Sequence, residues 1–188
     1  LPDSQLRSGF AEMLKHGLIA DHKHWNDLIS IKHLNAENLF PFIETSMKIK
    51  ERIVGQDFKE QHIRKTLNFG HTIGHAIESL FLQTGTEIPH GEAVALGMIC
   101  ESRLAFLINL IGEVDAENII NNIRKFYPYL SISQFSDDQI LPLMMNDKKN
   151  SSGKISFSLL KKIGEGNFDC EVSEKDLIST LQYYRNLN

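Results

Sequence analysis

The densest group of chemically capable side chains lies between Gly70 and Glu78, where the sequence reads Gly-His-Thr-Ile-Gly-His-Ala-Ile-Glu. On a helix, His71 and His75 are four residues apart and share one face. Imidazoles in that arrangement can bind a metal or transfer protons, although a lone pair of this kind is more often ordinary surface. The two glycines would each cost a helix roughly 1 kcal/mol relative to alanine. We therefore expect another backbone or a ligand to approach closely there.

Two other segments carry side chains of the same kinds. His90 precedes a strongly apolar stretch, where a histidine can be either a helix cap or a metal ligand. Glu12 and Lys15 are three residues apart and lie on one face of an apolar helical pattern. As a surface pair they would contribute only a few tenths of a kcal/mol. The small residues Gly9 and Ala11 beside them favour close approach of another group instead.

The apolar spacing predicts helices over most of the chain. The predicted helices cover residues 3 or 4 to 19, 25–31, 35 or 38 to 54, 63–81, 91–111 ending at Gly112, 115–126, 140–145 and 173–186. Alternation at residues 155–159 predicts a strand, which a turn at residues 164–167 would pair with residues 168–172. The expected fold class is mainly α with one small β-hairpin.

Composition excludes several functional classes. The 188 residues, 41% hydrophobic and 23% charged, are enough for one domain with a substantial core. The net charge of −4, with scattered basic residues, argues against nucleic acid as a partner. No stretch approaches the ~20 apolar residues of a membrane span. Two cysteines are too few for a disulfide framework, which favours a reducing, cytoplasmic location.

Five segments of the chain, taken in order, resemble the 3-dehydroquinate synthases and the wider sugar-phosphate cyclases. They are residues 8–15, residues 50–54 with Asp57, and residues 64–78, 90–95 and 147–149. The Gly-His-x-x-Gly-His pattern in the third segment is the most specific of them. The opening differs from the family pattern, because Ser4 and Gln5 stand where Arg and Glu are usual. The resemblance nevertheless covers most of the chain and implies the family's helical C-terminal domain.

The resemblance also implies a role for each site residue. Glu12, His71 and His90 would be the three protein ligands of a divalent metal, zinc or cobalt. Two imidazoles and one carboxylate leave a coordination position open, as in catalytic zinc sites. The residues expected to face an anionic substrate are Lys15, Lys50, Arg64, Asn68 and His75, with Lys148 or Lys149 as a weaker candidate. Spacing alone would have paired His71 with His75; the resemblance makes His75 a hydrogen-bonding or proton-transfer group.

The implied reaction converts a seven-carbon sugar-acid phosphate into 3-dehydroquinate, a step of the shikimate pathway, with transient oxidation by NAD. The sequence contains no glycine-rich turn after a strand that could hold a dinucleotide pyrophosphate. We therefore expect the NAD-binding domain to precede this chain in a longer protein, which would be a homodimer. The chain begins in a helical pattern without a Met, which favours the same expectation. By itself it should not turn over substrate.

Three alternative interpretations remain open at this point. Another cyclase of the superfamily, such as a sedoheptulose 7-phosphate cyclase, would differ only in the side chains that line its pocket. A metal-dependent polyol dehydrogenase could share a helical domain, although residues 64–78 fit the cyclases better. A non-catalytic interaction domain could bind metal for stability alone, and it would have a closed site with four ligands.

Overall fold

The structure, a computed structural model, describes residues 2–145 and 155–187. In this part of the chain eight α-helices, one 3₁₀ helix and one antiparallel hairpin follow each other. They are α1 (Asp3–Ala20), α2 (His22–Ile29), α3 (Ala36–Gln56), the 3₁₀ helix (Ile63–Asn68), α4 (His71–Gln83), α5 (His90–Leu107), α6 (Glu113–Phe126), α7 (Asp137–Met145), β1 (Ile155–Lys162), β2 (Glu165–Val172) and α8 (Glu174–Arg185). This confirms the expected fold class.

Helix α5 lies at the centre of the core. It packs against α1, α4, α6 and α8, and Val94, Ala95, Met98 and Cys100 on it have no exposed surface. Burial on nearly every side is what its dense apolar sequence predicts. Even so, no helix in the described part of the chain is long and apolar enough to cross a membrane.

Local hydrogen bonds set where the helices start. The side chain of Asn35 accepts a hydrogen bond from the N–H of Asn38 at 2.8 Å, so Asn35 and not Asn38 caps α3. Pro41 consequently lies inside that helix and beyond its first turn. Ser173 accepts from the N–H of Asp176 at 3.2 Å, which confirms the predicted start of α8.

Several predicted boundaries are wrong. The helix predicted over residues 63–81 is broken at Gly70, whose φ of +81° is one that glycine adopts without strain. Helix α5 ends at Leu107, followed by Asn109 with φ of +60°, and Gly112 is instead the N-cap of α6. The strands are longer than predicted, because Lys162 pairs with Glu165 and moves the turn to residues 163–164.

Candidate metal centre

The starts of α4 and α5 meet because two glycines let their backbones touch. A Cβ on Gly74 would lie 2.8 Å from the carbonyl oxygen of Ala93. A Cβ on Gly97 would overlap the carbonyl oxygen of Gly70. The expected close approach at Gly74 is therefore confirmed, and the neighbour is the backbone of α5. Gly70 is not inside the helix as the pattern suggested, but is its N-cap.

A buried carboxylate holds the first turn of α4 in place. Glu101, which has no exposed surface, accepts hydrogen bonds from the N–H of Gly70 at 2.5 Å and of Ile73 at 3.1 Å. These N–H groups have no partner inside their own helix, because they belong to its first turn. Glu101 thus fixes the backbone that carries His71. Sequence reasoning missed Glu101, although an acid inside the apolar α5 pattern was a signal.

Three histidine rings converge where α4 and α5 begin. The ring centroids of His71 and His75 are 5.0 Å apart, those of His71 and His90 5.6 Å, and those of His75 and His90 5.7 Å. One nitrogen from each ring can be chosen so that all three lie within 4.8 Å of one another. A single divalent cation can be bound by donor atoms this close together.

Glu12 approaches the same cluster from α1. His71 Nε2 lies 3.4 Å from Glu12 Oε1, while His71 Nδ1 lies 3.1 Å from the carbonyl oxygen of Phe69. A carbonyl only accepts hydrogen bonds, which assigns the proton of a neutral His71 to Nδ1. The Nε2 lone pair then faces Glu12 Oε1, which is buried and finds no hydrogen-bond partner among the described residues. A cation bound by both atoms would satisfy both of them, so these residues fit a metal ion.

Lys15 is buried beside Glu12, whose side chain is 29% exposed. Its Nζ lies 2.8 Å from Glu12 Oε2, and only 3% of the Lys15 side chain is exposed. Burial by itself would raise the pKa of Glu12, but a hydrogen bond from the protonated form of His71 and the charge of Lys15 outweigh it and hold that pKa well below its usual range. Burial also lowers the pKa of Lys15, against the attraction of Glu12. Glu12 is therefore an anion at neutral pH, the form that binds a metal.

His90 is oriented by a carboxylate of α4. Its Nδ1 lies 3.3 Å from both oxygens of Glu78, which leaves Nε2 as the ring nitrogen available to a metal. A carboxylate behind a histidine in this way fixes the ring and makes it a stronger ligand. Glu78 was not among the predicted site residues. Its place three residues after His75, on the same helical face, was the available signal.

Two of the predicted substrate-facing residues, Lys50 and Asn68, line pockets that also contain residues of the candidate metal centre. Lys50 is exposed on α3 and lines a groove that also contains Glu12. Asn68, His71 and His75 line a second pocket, of about 280 Å³. Arg64 donates from Nη1 to the carbonyl oxygen of Phe58 at 2.9 Å. The candidate Lys148, like its alternative Lys149, lies outside the described residues.

One acidic residue joins two of these candidates. Glu60 accepts a hydrogen bond from Asn68 Nδ2 at 2.9 Å, and its other oxygen lies 3.7 Å from Arg64 Nε. The carboxylate of Asp57 accepts hydrogen bonds from the backbone N–H groups of Gln61, His62 and Arg64. These bonds fix the turn that contains Glu60. Glu60 was not predicted, and no spacing rule singles it out. An anion that binds Arg64 and Asn68 must compete with Glu60 for them.

The fold and the site together define a class of protein: a helical domain with a candidate metal centre at the edge of a polar pocket. Four candidate ligands meet there, Glu12, His71, His75 and His90, one more than the resemblance implies. Asn68 and His75 line the same pocket, so groups able to contact a substrate lie beside these candidates. If three of the four candidates bind the metal and the fourth faces the pocket, one coordination position stays open, as in catalytic sites.

Comparison with known proteins gives the family. A family model described as "3-dehydroquinate synthase C-terminal" matches residues 9–150, and the chain belongs to this family. The chain is 38% identical over 187 residues to the 3-dehydroquinate synthase of Parabacteroides distasonis, with 98% of the chain and 53% of that protein covered. With the enzyme of Campylobacter concisus it is 35% identical over 186 residues, at the same coverage of both. The chain therefore spans about half the length of these curated relatives.

Solved structures share the fold. The 2-epi-5-epi-valiolone synthase of Streptomyces hygroscopicus subsp. jinggangensis, with NAD+ and Zn2+ bound, superposes with a TM-score of 0.79 at 20% identity, covering 99% of this chain and 53% of that one. A 2-deoxy-scyllo-inosose synthase complexed with carbaglucose-6-phosphate, NAD+ and Co2+ gives a TM-score of 0.73 at 24% identity, covering 98% and 52%. At these identities the likeness establishes the fold.

Proposed function

We propose that this chain is the metal- and substrate-binding half of a 3-dehydroquinate synthase. The whole enzyme would eliminate phosphate from 3-deoxy-D-arabino-heptulosonate 7-phosphate and close the ring of 3-dehydroquinate, a carbon–oxygen lyase reaction. The observation that carries the proposal is the distance of 3.4 Å from His71 Nε2 to Glu12 Oε1, a buried oxygen with no hydrogen-bond partner among the described residues. Membership of the family and the half-length match to its curated members support it.

Glu12, His71 and His90 would hold the divalent metal, and Glu78 would orient His90. Zinc and cobalt are both reasonable, since the two cyclases of the same fold are described with Zn2+ and Co2+. When bound, the metal would lower the pKa of substrate hydroxyls and polarise a neighbouring carbonyl. His75, which lies beside the ligands and is exposed to the pocket, would donate hydrogen bonds or move a proton on the substrate.

The cations around the centre would bind and orient the anionic groups of a phosphorylated sugar acid. Lys15 Nζ, already paired with Glu12, would add a buried positive charge beside the substrate. The guanidinium of Arg64 can bind a carboxylate or a phosphate through two parallel hydrogen bonds. Lys50 would contact the substrate from the groove that contains Glu12. Asn68 would contact it from the pocket that contains His71 and His75. Lys148 remains a candidate for a further contact. Orientation of this kind lowers the barrier without a covalent step on the protein.

The oxidant would come from the rest of the protein. NAD+ is bound in both cyclases named above, and the described sheet here is a two-stranded antiparallel hairpin and not a parallel dinucleotide-binding sheet. We propose that NAD is held mainly by the half of the enzyme that this chain does not include. This chain alone would then be inactive. A homodimer of the full-length enzyme and a cytoplasmic location remain predictions.

The second candidate is a cyclase with a different substrate, because solved synthases of valiolone and inosose type share this fold. The identity of 38% to a curated 3-dehydroquinate synthase favours the first candidate. Phosphate release by the full-length enzyme distinguishes them. The seven-carbon sugar acid phosphate should be consumed, whereas sedoheptulose 7-phosphate should not; the reverse preference would contradict the proposal.

The metal assignment is tested by thermal unfolding of the metal-free protein. Zinc or cobalt at about a hundred times the dissociation constant should stabilise it by ~2.7 kcal/mol, which for a domain of this size raises the melting temperature by roughly 5–10 °C. His71→Ala should abolish the rise, and His33→Ala, at an exposed position, should retain it. Equal rises in both variants would refute the assignment.

A separate assay tests the substrate site. In the full-length enzyme, Lys50→Ala and Arg64→Ala should each raise KM for the phosphorylated substrate, and full activity in both would refute the anion site. Normal metal stabilisation without any turnover in the full-length protein would favour the non-catalytic interaction domain.

A further inference from the structure

The hairpin of β1 and β2 contains a bulge that lies against the 3₁₀ helix. At this bulge Ser158 of β1 lies opposite two residues of β2, Phe168 and Asp169. Asp169 has a φ of +54°, in the left-handed region that few residues other than glycine adopt. Bulges redirect side chains and are frequent beside active sites. The contacts of the bulge therefore indicate what the hairpin does.

The side chains of the bulge all reach Lys65, in the middle of the 3₁₀ helix. The buried hydroxyl of Ser158 donates a hydrogen bond to the carbonyl oxygen of Lys65 at 2.6 Å. Lys65 Nζ donates to both carboxylate oxygens of Asp169, at 2.9 and 2.8 Å. The same Nζ lies 5.8 Å from the centre of the Phe168 ring. The bulge thus holds both the backbone and the side chain of Lys65.

The 3₁₀ helix needs support of this kind. It has six residues, whereas runs beyond three or four are uncommon because 3₁₀ hydrogen bonds have poor geometry. The next residue after Lys65, Thr66, is 1% exposed, and a Cβ on Gly166 of β2 would lie 3.0 Å from its side chain. Glycine therefore lets β2 pack directly on the helix. The hairpin supports two successive residues of it.

The hairpin is itself fixed to the core. Phe157 and Leu159 of β1 are at most 1% exposed. In the turn, the N–H of Gly164 donates to the carbonyl oxygen of Leu18, on α1, at 2.7 Å. Helix α1 also carries Glu12, so the hairpin connects the 3₁₀ helix to an element of the candidate metal centre.

The supported residues lie between two of the proposed anion-binding residues. Arg64 immediately precedes Lys65, and Asn68 is the last residue of the 3₁₀ helix. Asn68 also lines a pocket of about 330 Å³ together with Ser158 and Asp169. We infer that the hairpin is a positioning element of the substrate site and acts through Ser158 and Asp169. These two residues fix the backbone that carries Arg64 and Asn68, as the residues behind a binding site must do. This inference rests on the proposed function.

Kinetics of the full-length enzyme test it. Asp169→Gly keeps the positive φ without strain but removes the carboxylate from Lys65, and Ser158→Ala removes the hydroxyl. Each should raise KM for the phosphorylated substrate by about threefold or more and change kcat by less than about twofold, because misplaced anion-binding groups lose binding. Asp169→Asn keeps an oxygen for Lys65 and tolerates positive φ, so its KM should be close to the original. Glu165→Gln removes an exposed ion pair with Lys162 on the same hairpin and is the matched control, with unchanged KM.

Hydrogen exchange provides a measurement that needs no turnover. In Ser158→Ala and Asp169→Gly, the amides of the 3₁₀ helix should exchange about tenfold faster or more, whereas those of α4 should keep their rates. Unchanged exchange in the 3₁₀ helix would overturn the inference. Faster exchange with an unchanged KM would also overturn it, because the hairpin would then stabilise the helix without serving the site.

The proposed function fails in a different way. It would be refuted by an unmodified full-length enzyme that does not turn over the substrate. In that case the affinity for inorganic phosphate takes the place of KM in the same comparison of variants. Failure of the proposed function and failure of the inference about the hairpin are therefore distinguishable.

Discussion

The metal side and the anion side of the candidate site are built differently. On the metal side, His71 and His90 are the first residues of two helices whose backbones touch, and Glu101 fixes the first turn of α4. On the anion side, Lys50 is exposed, and Arg64 and Asn68 contact Glu60. The first is organised by contacts within this chain. The anion side, in our proposal, takes its active conformation only when the substrate and the rest of the enzyme are present.

The largest expected effect is on the contact that builds the metal side. In Gly97→Ala the new methyl group overlaps the Gly70 carbonyl, so α4 and α5 must separate, at a cost of about 3 kcal/mol or more of unfolding free energy. The control is Gly55→Ala, in the last turn of α3 with open space around it, which should be neutral or stabilising by up to ~1 kcal/mol. Urea unfolding measures both, and equal midpoints would contradict the tight contact.

The ligand set is the next part of the metal side to test. Glu12→Gln keeps the size of the side chain but removes its charge, and should weaken zinc binding by about a hundredfold or more. His75→Gln should weaken binding by less than about tenfold, because we place His75 outside the ligand set, and should instead slow turnover of the full-length enzyme. Competition with a chelator measures the affinities. Equal losses in the two variants would make His75 a ligand.

The buried His16 predicts that the unfolding free energy depends on pH. Burial, assisted by the charge of Lys15, lowers the pKa of His16 to about 4. The unfolded chain therefore binds a proton near pH 6.5 that the folded chain refuses, and stability falls as the pH drops from about 6.5 to 4. Between pH 7.5 and 5, His16 should account for about 2 kcal/mol of lost unfolding free energy.

The variant His16→Asn measures this contribution, because its amide can replace the contact of Nδ1 with Ser46. Its unfolding free energy should fall less over that pH interval than that of the unmodified protein. His33→Asn, at an exposed position, is the control and should keep the original dependence. Identical pH profiles for all three proteins would show that His16 is not buried in its neutral form.

The smallest expected effect concerns the support behind His90. Glu78→Gln removes the charge that lies 3.3 Å from His90 Nδ1 and should weaken metal binding by about tenfold. Glu87→Gln, at an exposed position, should leave the affinity unchanged. If Glu78→Gln binds metal normally, the contact with His90 has no part in the metal centre.

Periodicity predicted most helices and the hairpin, because core-facing residues repeat at fixed intervals. It missed the break at Gly70, since positive φ values leave no periodic trace. The resemblance assigned Glu12, His71 and His90 to one metal site, and the structure brings these positions together; their roles stay predictions. Glu101 could not be placed in advance, because its bond to Gly70 spans 31 residues of sequence and exists only after packing.

The contact between α4 and α5 also has a consequence for motion. Where two backbones touch through glycine, no side chain lies between them that could change rotamer and let the helices slide. His71 and His90 should therefore keep their separation while α3 and the exposed Lys50 fluctuate. Amide hydrogens in the first turns of α4 should exchange with solvent only in rare, large openings, and those at the exposed start of α3 should exchange much sooner.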